Sequence, residues 1–367
     1  MSSPVPPPKG LARHGGTIIS TARELGLAPA ELMDMSSNLS PLGMAPGLRE
    51  HLAAALDQLG HLPEIDNKGL IEAFARHAGC KSGEVAAGNG TTDFIFALPQ
   101  LLRGVQRALL VQPTYSDYEV ACEQQGLAVH HFHTRPQDDF ALDLDQLEAQ
   151  VKDGDLVFIC NPNNPTGRLL ASHKLHALAA AHPGASFVVD ESYLPFTREV
   201  SLVAFPKLAN LYILCSSSKI YGIPGLRLGF LVAHESVLPP FAEQLRPWAI
   251  NRLAQLAGEY LFSQADDHVA AVVDFVLKER PKFVARLTAG GVVQAVPGVT
   301  NFILCRFLGR NMTAGWLQAE MLQERIMVRN CANFQGLDDS YFRLSLQGRA
   351  DNDFFLDRFA ELMDLKG

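Results

Sequence analysis

Cys215-Ser216-Ser217-Ser218-Lys219-Ile220-Tyr221-Gly222-Ile223-Pro224-Gly225-Leu226-Arg227 decides how this chain is read. The stretch follows the apolar run Leu211 to Leu214 and precedes another, Leu228 to Val232, so it is the loop at the end of a buried strand. Most lysines are solvated, and a Ser-Ser-Ser-Lys run is ordinarily only loop. Lys219, however, stands at a strand end among hydroxyls, with Arg227 eight residues on. Burial beside a cation lowers an amine's pKa and leaves it nucleophilic. The segment alone leaves both readings open.

Outward from it, short apolar runs recur at Ala108 to Val111, Leu156 to Cys160, Ser186 to Val189, Leu211 to Cys215 and Gly229 to Ala233. Helix-like segments lie between several of them, including Ser116 to Gln125 and Ala171 to Ala181. That alternation predicts an α/β domain with a mostly parallel central sheet flanked by helices. From about Pro247 the pattern changes to long helical stretches, then Thr300 to Phe307, a helix near Thr313 to Glu324, strand-like Ile326 to Arg329 and Tyr341 to Leu346, and a closing helix. This predicts a second, smaller α+β domain with a core of its own.

The chain has 367 residues, with 31 Lys and Arg against 39 Asp and Glu. The mildly acidic balance gives no electrostatic reason to expect nucleic acid or an anionic membrane as partner. Six scattered cysteines without a CxxC pair are expected to be reduced thiols, with Cys160 and Cys215 as core residues. The Pro- and Ser-rich start, Met1 to Gly10, has neither the basic beginning nor the apolar stretch of a signal peptide, and no apolar run approaches the roughly 20 residues of a membrane span. The expected compartment is the cytoplasm.

Three further segments fall at carboxyl ends of strands, where α/β folds place ligands. Asn161-Pro162-Asn163-Asn164-Pro165-Thr166-Gly167 follows the run ending at Cys160. A structural turn explains its Pro and Gly but not three Asn, whereas a fixed loop can orient an amide. Asp190-Glu191-Ser192-Tyr193 follows Phe187-Val188-Val189, so Asp190 either caps a turn or presents a buried carboxylate. Ala87-Gly88-Asn89-Gly90-Thr91-Thr92-Asp93-Phe94 opens an amphipathic segment, where free N–H groups and the helix dipole favour an anion, although Gly-rich loops are common.

A reactive lysine, an anion cradle, a strand-end carboxylate and an oriented Asn are the parts needed to hold pyridoxal phosphate as a Schiff base. With these residues the sequence resembles the class I/II aminotransferase group of fold type I pyridoxal-phosphate enzymes. The resemblance implies a large cofactor-binding domain over 46–246, and a small domain made of 1–45 and 247–367. It makes Lys219 the Schiff-base lysine and places Ser216, Ser218 and Arg227 on the cofactor phosphate. Thr91 and Thr92 join them through backbone N–H groups, and Gly90 permits close approach. Asp190 faces the pyridinium N–H, Asn164 and Tyr193 the 3′-oxygen, and Tyr115 stacks on the ring. Lys219, Asp190 and Tyr193 are the catalytic set it implies.

Within that group the chain resembles the threonine-phosphate decarboxylases of cobalamin biosynthesis along nearly its whole length. The stretches that carry this are His14-Gly15-Gly16, Asn38-Leu39-Ser40-Pro41-Leu42-Gly43, Arg246-Pro247-Trp248-Ala249-Ile250-Asn251 and Arg329-Asn330-Cys331-Ala332-Asn333-Phe334-Gln335-Gly336-Leu337. By that resemblance Arg343 forks the carboxylate of a small phosphorylated amino acid, Arg329 meets its phosphate, and His14, Asn38 and Asn164 assist; read alone, Arg329 is a surface strand arginine. A homodimer with shared active sites is also implied. Leu62, in His61-Leu62-Pro63, stands where many relatives carry a Tyr that reaches the neighbouring subunit's cofactor phosphate, so that contact is missing here.

The reaction expected is decarboxylation of O-phospho-L-threonine. A histidinol-phosphate-type aminotransferase needs almost the same residues and stands as the alternative, and a regulatory pyridoxal-phosphate protein without catalysis is a third reading. His130-His131-Phe132-His133 puts two imidazoles on one strand face, yet no carboxylate or thiol stands at an evident ligand spacing, so no metal is expected and the run reads as structural.

Overall fold

A computed structural model describes residues 15–244, 246–309 and 312–364, apart from the side chains of 242 and 244. Among these residues the largest sheet has seven strands: β1 (Val85–Gly88), β2 (Arg107–Gln112), β3 (Ala128–His133), β4 (Asp155–Cys160), β5 (Ser186–Asp190), β6 (Leu211–Ser216) and β7 (Gly229–Val232). Their spatial order is β1-β7-β6-β5-β4-β2-β3. The pairs from β6 to β3 are parallel and β7 runs antiparallel to both neighbours, so the sheet is mostly parallel, as expected.

The continuous apolar character of β4, buried at every position, follows from helices covering both faces. Val157 and Ile159 pack into one apolar cluster while Leu156, Phe158 and Cys160 pack into the other, the period-two alternation of a strand. Helix α1 (Thr91–Leu101) lays Phe94, Ile95 and Leu98 on the second cluster. On the opposite face lie helices Lys68–Ala78 and Arg252–Gln264, through Leu70, Phe74, Ala257 and Leu261.

A four-stranded antiparallel sheet follows, formed by β8 (Val293–Ala295), β9 (Phe302–Phe307), β10 (Arg329–Asn330) and β11 (Tyr341–Ser345) in the order β10-β11-β9-β8. Two expectations are corrected here. The run Ile326 to Arg329 is not one strand: Ile326–Met327 pairs with Met33–Asp34 in parallel, and the chain then turns to pair Arg329–Asn330 with β11. Nor does the C-terminal region bury a separate core. Phe302, Phe342 and Phe355 belong to the same apolar cluster as Phe187 and Phe230, because the helix Asp266–Thr288 buries Val272, Val276, Phe283 and Leu287 in it. Among the described residues no helix is long and apolar enough to cross a membrane.

Candidate active site

The carboxyl ends of β1, β4, β5 and β6 lie along one edge of the large sheet, joined there by the start of β7. The register sets Gly88 and Ser216 opposite Gly229 and Cys160 opposite Asp190. An inner cleft at this edge is lined by Gly90, Thr91, Thr92, Tyr115, Asn164, Asp190, Tyr193, Ser216, Ser218, Lys219 and Arg227, residues that the sequence singles out. An outer cleft shares Tyr115, Asn164, Tyr193 and Lys219 with it and adds Asn38, Arg329 and Arg343. His14 lies outside the described residues.

Lys219 is half-buried. Its amine is held down to about 8, first by loss of water, then by the cations of Arg227 and Arg343, against the opposing pull of Asp190. A useful fraction is therefore neutral and nucleophilic near neutral pH. Asp190, buried at the end of β5, accepts from Ser192 N at 2.9 Å and Tyr118 Oη at 2.7 Å. Burial raises its carboxyl, and those two donors and Lys219 oppose the rise. Tyr118 was not among the residues read from sequence. It lies in helix α2 (Asp117–Gln124), stacked on Phe158 at 5.0 Å between ring centres, and packs edge-on to Tyr115.

At the other end of the inner cleft, Gly90 precedes α1 with φ of 82°, a conformation that favours glycine. A Cβ there would stand 2.5 Å from Arg227 Nη2, and one on Gly229 would stand 2.4 Å from Thr91 N, so both glycines are needed to bring guanidinium and helix start together. First-turn N–H groups have no partner within a helix, and here they sit beside an arginine. Ser218 Oγ is buried without a partner, and Ser216 Oγ accepts from Ser218 N at 3.3 Å. Pyridoxal phosphate fits this donor set: an anion cradle at one end, a buried carboxylate for a protonated ring nitrogen, and an amine between them. Cys160, expected as a core residue, also walls the cleft.

The outer cleft is organised by two arginines. β10 and β11 pair Arg329 directly with Arg343, which sets like charges opposite one another on one face. Arg343 is buried and spans two acceptors, donating from Nη1 to Asn164 Oδ1 and from Nη2 to Ser36 O at 2.8 Å, while its Nε is left without a partner. Burial lowers the Arg329 guanidinium, and Arg343 lowers it further. Asn38 Nδ2 donates to Tyr193 Oη at 3.2 Å, and Asn38 Oδ1 is buried and unpartnered. Burial pushes the Tyr193 phenol up to about 12, partly offset by Arg343 and Asn38. Paired cations and unspent polar atoms suit the outer cleft to a small anionic molecule.

His131 and His133 share one face of β3 with ring centres 5.8 Å apart. Among the described residues no group of three or more His, Cys, Asp or Glu is placed to hold a metal ion.

Comparison with known proteins bears on the family and the fold. The chain is 34% identical to the threonine-phosphate decarboxylase of Salmonella typhimurium over 348 residues, 94% of each chain. Its fold superposes on the L-threonine-O-3-phosphate decarboxylase of Porphyromonas gingivalis with a TM-score of 0.82 and 28% identity, covering 91% of this chain and 100% of that one. The histidinol-phosphate aminotransferase of Clostridium acetobutylicum is equally similar in fold, with a TM-score of 0.84 and 26% identity over 91% of this chain and 99% of that one. The family model described as aminotransferase class I and II matches residues 30–359. The chain therefore belongs to the aminotransferase class I and II family of pyridoxal-phosphate-dependent enzymes.

Proposed function

We propose that the protein decarboxylates O-phospho-L-threonine to (R)-1-amino-2-propanol O-2-phosphate, the amine used for the corrin side chain in cobalamin biosynthesis. The observation that carries this is the cross-strand pair Arg329 and Arg343 in the cleft that holds Lys219. Two adjacent guanidinium groups suit a substrate with two anionic groups, a carboxylate and a phosphate. The full-length likeness to a threonine-phosphate decarboxylase supports the choice of substrate.

Pyridoxal phosphate, when bound, supplies an electron sink for a carbanion at the substrate Cα. Arg227, Ser216, Ser218 and the N–H groups of Thr91 and Thr92 hold its phosphate, and Asp190 keeps its ring nitrogen protonated. Asn164 and Tyr193 address its 3′-oxygen, and Tyr115 covers its ring. Arg343 grips the carboxylate and Arg329 the phosphate. Gripped in this way, the carboxylate would be held in one orientation and would leave as carbon dioxide, its bonding electrons remaining at Cα for the sink that the cofactor would supply. Lys219, which lines both clefts and has a lowered pKa, would deliver the proton that replaces it.

A histidinol-phosphate-type aminotransferase is the second reading, favoured by the likeness to the Clostridium enzyme. There Lys219 would instead take the Cα proton. Homodimerisation and a cytoplasmic location are part of the proposal. Exposed Leu56, Leu59, Leu62 and Ile65 support the dimer. Product analysis in deuterated water separates the two chemistries. Decarboxylation leaves aminopropanol phosphate with one deuteron on the former Cα, whereas a keto product with conversion of the cofactor to its amine form rejects the proposal.

A further inference from the structure

We propose that His131 and Gln335 form a positioning contact that holds the segment Cys331–Leu337 against the large sheet, and through it sets Arg329 for capture of the substrate phosphate. The inference rests on the role proposed above for Arg329. Gln335 Nε2 donates to His131 Nδ1 at 2.8 Å, from a turn of the smaller sheet's connection to the outermost strand of the large one. That bond requires Nδ1 to be unprotonated, so the neutral ring carries its proton on Nε2. Glu119 Oε1 lies 3.3 Å from this Nε2, within ion-pair distance though off the line of a hydrogen bond. Gly336, at φ of 86°, takes a backbone conformation that favours glycine, and a Cβ there would make ordinary contact with His133 Nδ1 at 3.5 Å. Both imidazoles that sequence left without a role thus meet one turn.

The same turn reaches the outer cleft on its other side. Phe334, next to Gln335, is buried and lines that cleft with Arg329. The Arg329 guanidinium lies 5.5 Å over the Phe334 ring, and its Nη2 donates to Asn333 Oδ1 at 2.8 Å. Fixing Gln335 therefore fixes the two residues that shape Arg329. Glu119 belongs to α2, the helix that carries Tyr118 to Asp190, so the imidazole stands between the turn and that helix while its one hydrogen bond goes to Gln335. Cys331 and Phe334 already pack with Phe140, Leu304 and Tyr341, so the contact refines the segment's position and does not hold it alone. Gln335 and His131 are positioning residues.

The test uses the holoenzyme with Gln335→Leu, His131→Leu, the double variant and His131→Asn, whose Oδ1 replaces the acceptor at Nδ1. A single hydrogen bond near the surface predicts a rise in KM for O-phospho-L-threonine of roughly three- to tenfold, with kcat within about twofold of wild type. The double variant should be no worse than the poorer single one, and His131→Asn should recover most of the loss. Hydrogen exchange over residues 331–337 should quicken in the leucine variants before any substrate is added. Unchanged exchange, an unchanged KM, or additive effects of the two leucine variants overturns the contact. If exchange quickens but wild-type enzyme does not turn over O-phospho-L-threonine, the substrate assignment fails instead, and the KM comparison is read with histidinol phosphate.

Discussion

Tyr118 donates a 2.7 Å hydrogen bond from helix α2 to the carboxylate of Asp190 at the end of β5, and both residues are buried. Burial alone raises the Asp190 carboxyl, and a neutral acid there could not hold a ring nitrogen in its protonated form. Donors from Tyr118 and Ser192 oppose that rise. Tyr118, itself buried in the apolar core, thus works against the rise that burial imposes on this carboxyl.

Tyr118→Phe removes one donor to a buried anion while keeping the ring stacked on Phe158. A hydrogen bond to a charged group is worth about 1.5–3 kcal/mol, so affinity for pyridoxal phosphate should fall at least about tenfold, measured by equilibrium dialysis. An unchanged affinity would mean that Ser192 N and Lys219 suffice.

Lys219→Ala should abolish turnover and the borohydride-reducible attachment of the cofactor. Pyridoxal phosphate should still bind non-covalently through Asp190 and Arg227. Peptide mapping after reduction is the check, and attachment persisting at a single other lysine would assign the covalent role to that residue.

Stability should carry the mark of the buried amine. Lys219 titrates at about 8 in the fold against 10.5 for the free side chain, so between those values the unfolded chain binds more protons and stability rises with pH. Below about pH 8 the buried charge costs the apoprotein on the order of 2 kcal/mol, discounted for its partial exposure to the cleft. Apo Lys219→Met should melt higher than wild type at pH 7, and the gap should narrow towards pH 10. A gap independent of pH would place the amine in a water-like setting.

Gly90→Ala forces a Cβ to within 2.5 Å of Arg227 Nη2 at a backbone φ of 82°. The guanidinium can move aside only by giving up its Nη1 hydrogen bond to Pro224 O, and the positive φ strains alanine in any case, so the change should cost about 1–3 kcal/mol of stability, while the phosphate cradle opens and cofactor affinity drops about tenfold. Denaturant unfolding and cofactor titration separate the two effects.

The parallel sheet was legible because β4, β5 and β6 are unbroken apolar runs, and Lys219, Asp190 and Asn164 because chemistry-bearing residues stand where such runs stop. Tyr118 was not legible: it sits three residues beyond Tyr115 in an amphipathic helix, where an aromatic residue reads as core. The pairing of Arg329 with Arg343 follows from β10 turning to a new partner after Met327, a switch that apolar periodicity does not carry. The link from His131 to Gln335 joins residues 204 apart in sequence and leaves no local signal.

Release of carbon dioxide from carboxyl-labelled O-phospho-L-threonine by the holoenzyme tests the central claim most directly. Stoichiometric release with aminopropanol phosphate as product, lost in Arg343→Ala and Lys219→Ala, is the expected result. Retention of the label together with cofactor conversion to its amine form on adding histidinol phosphate would contradict it.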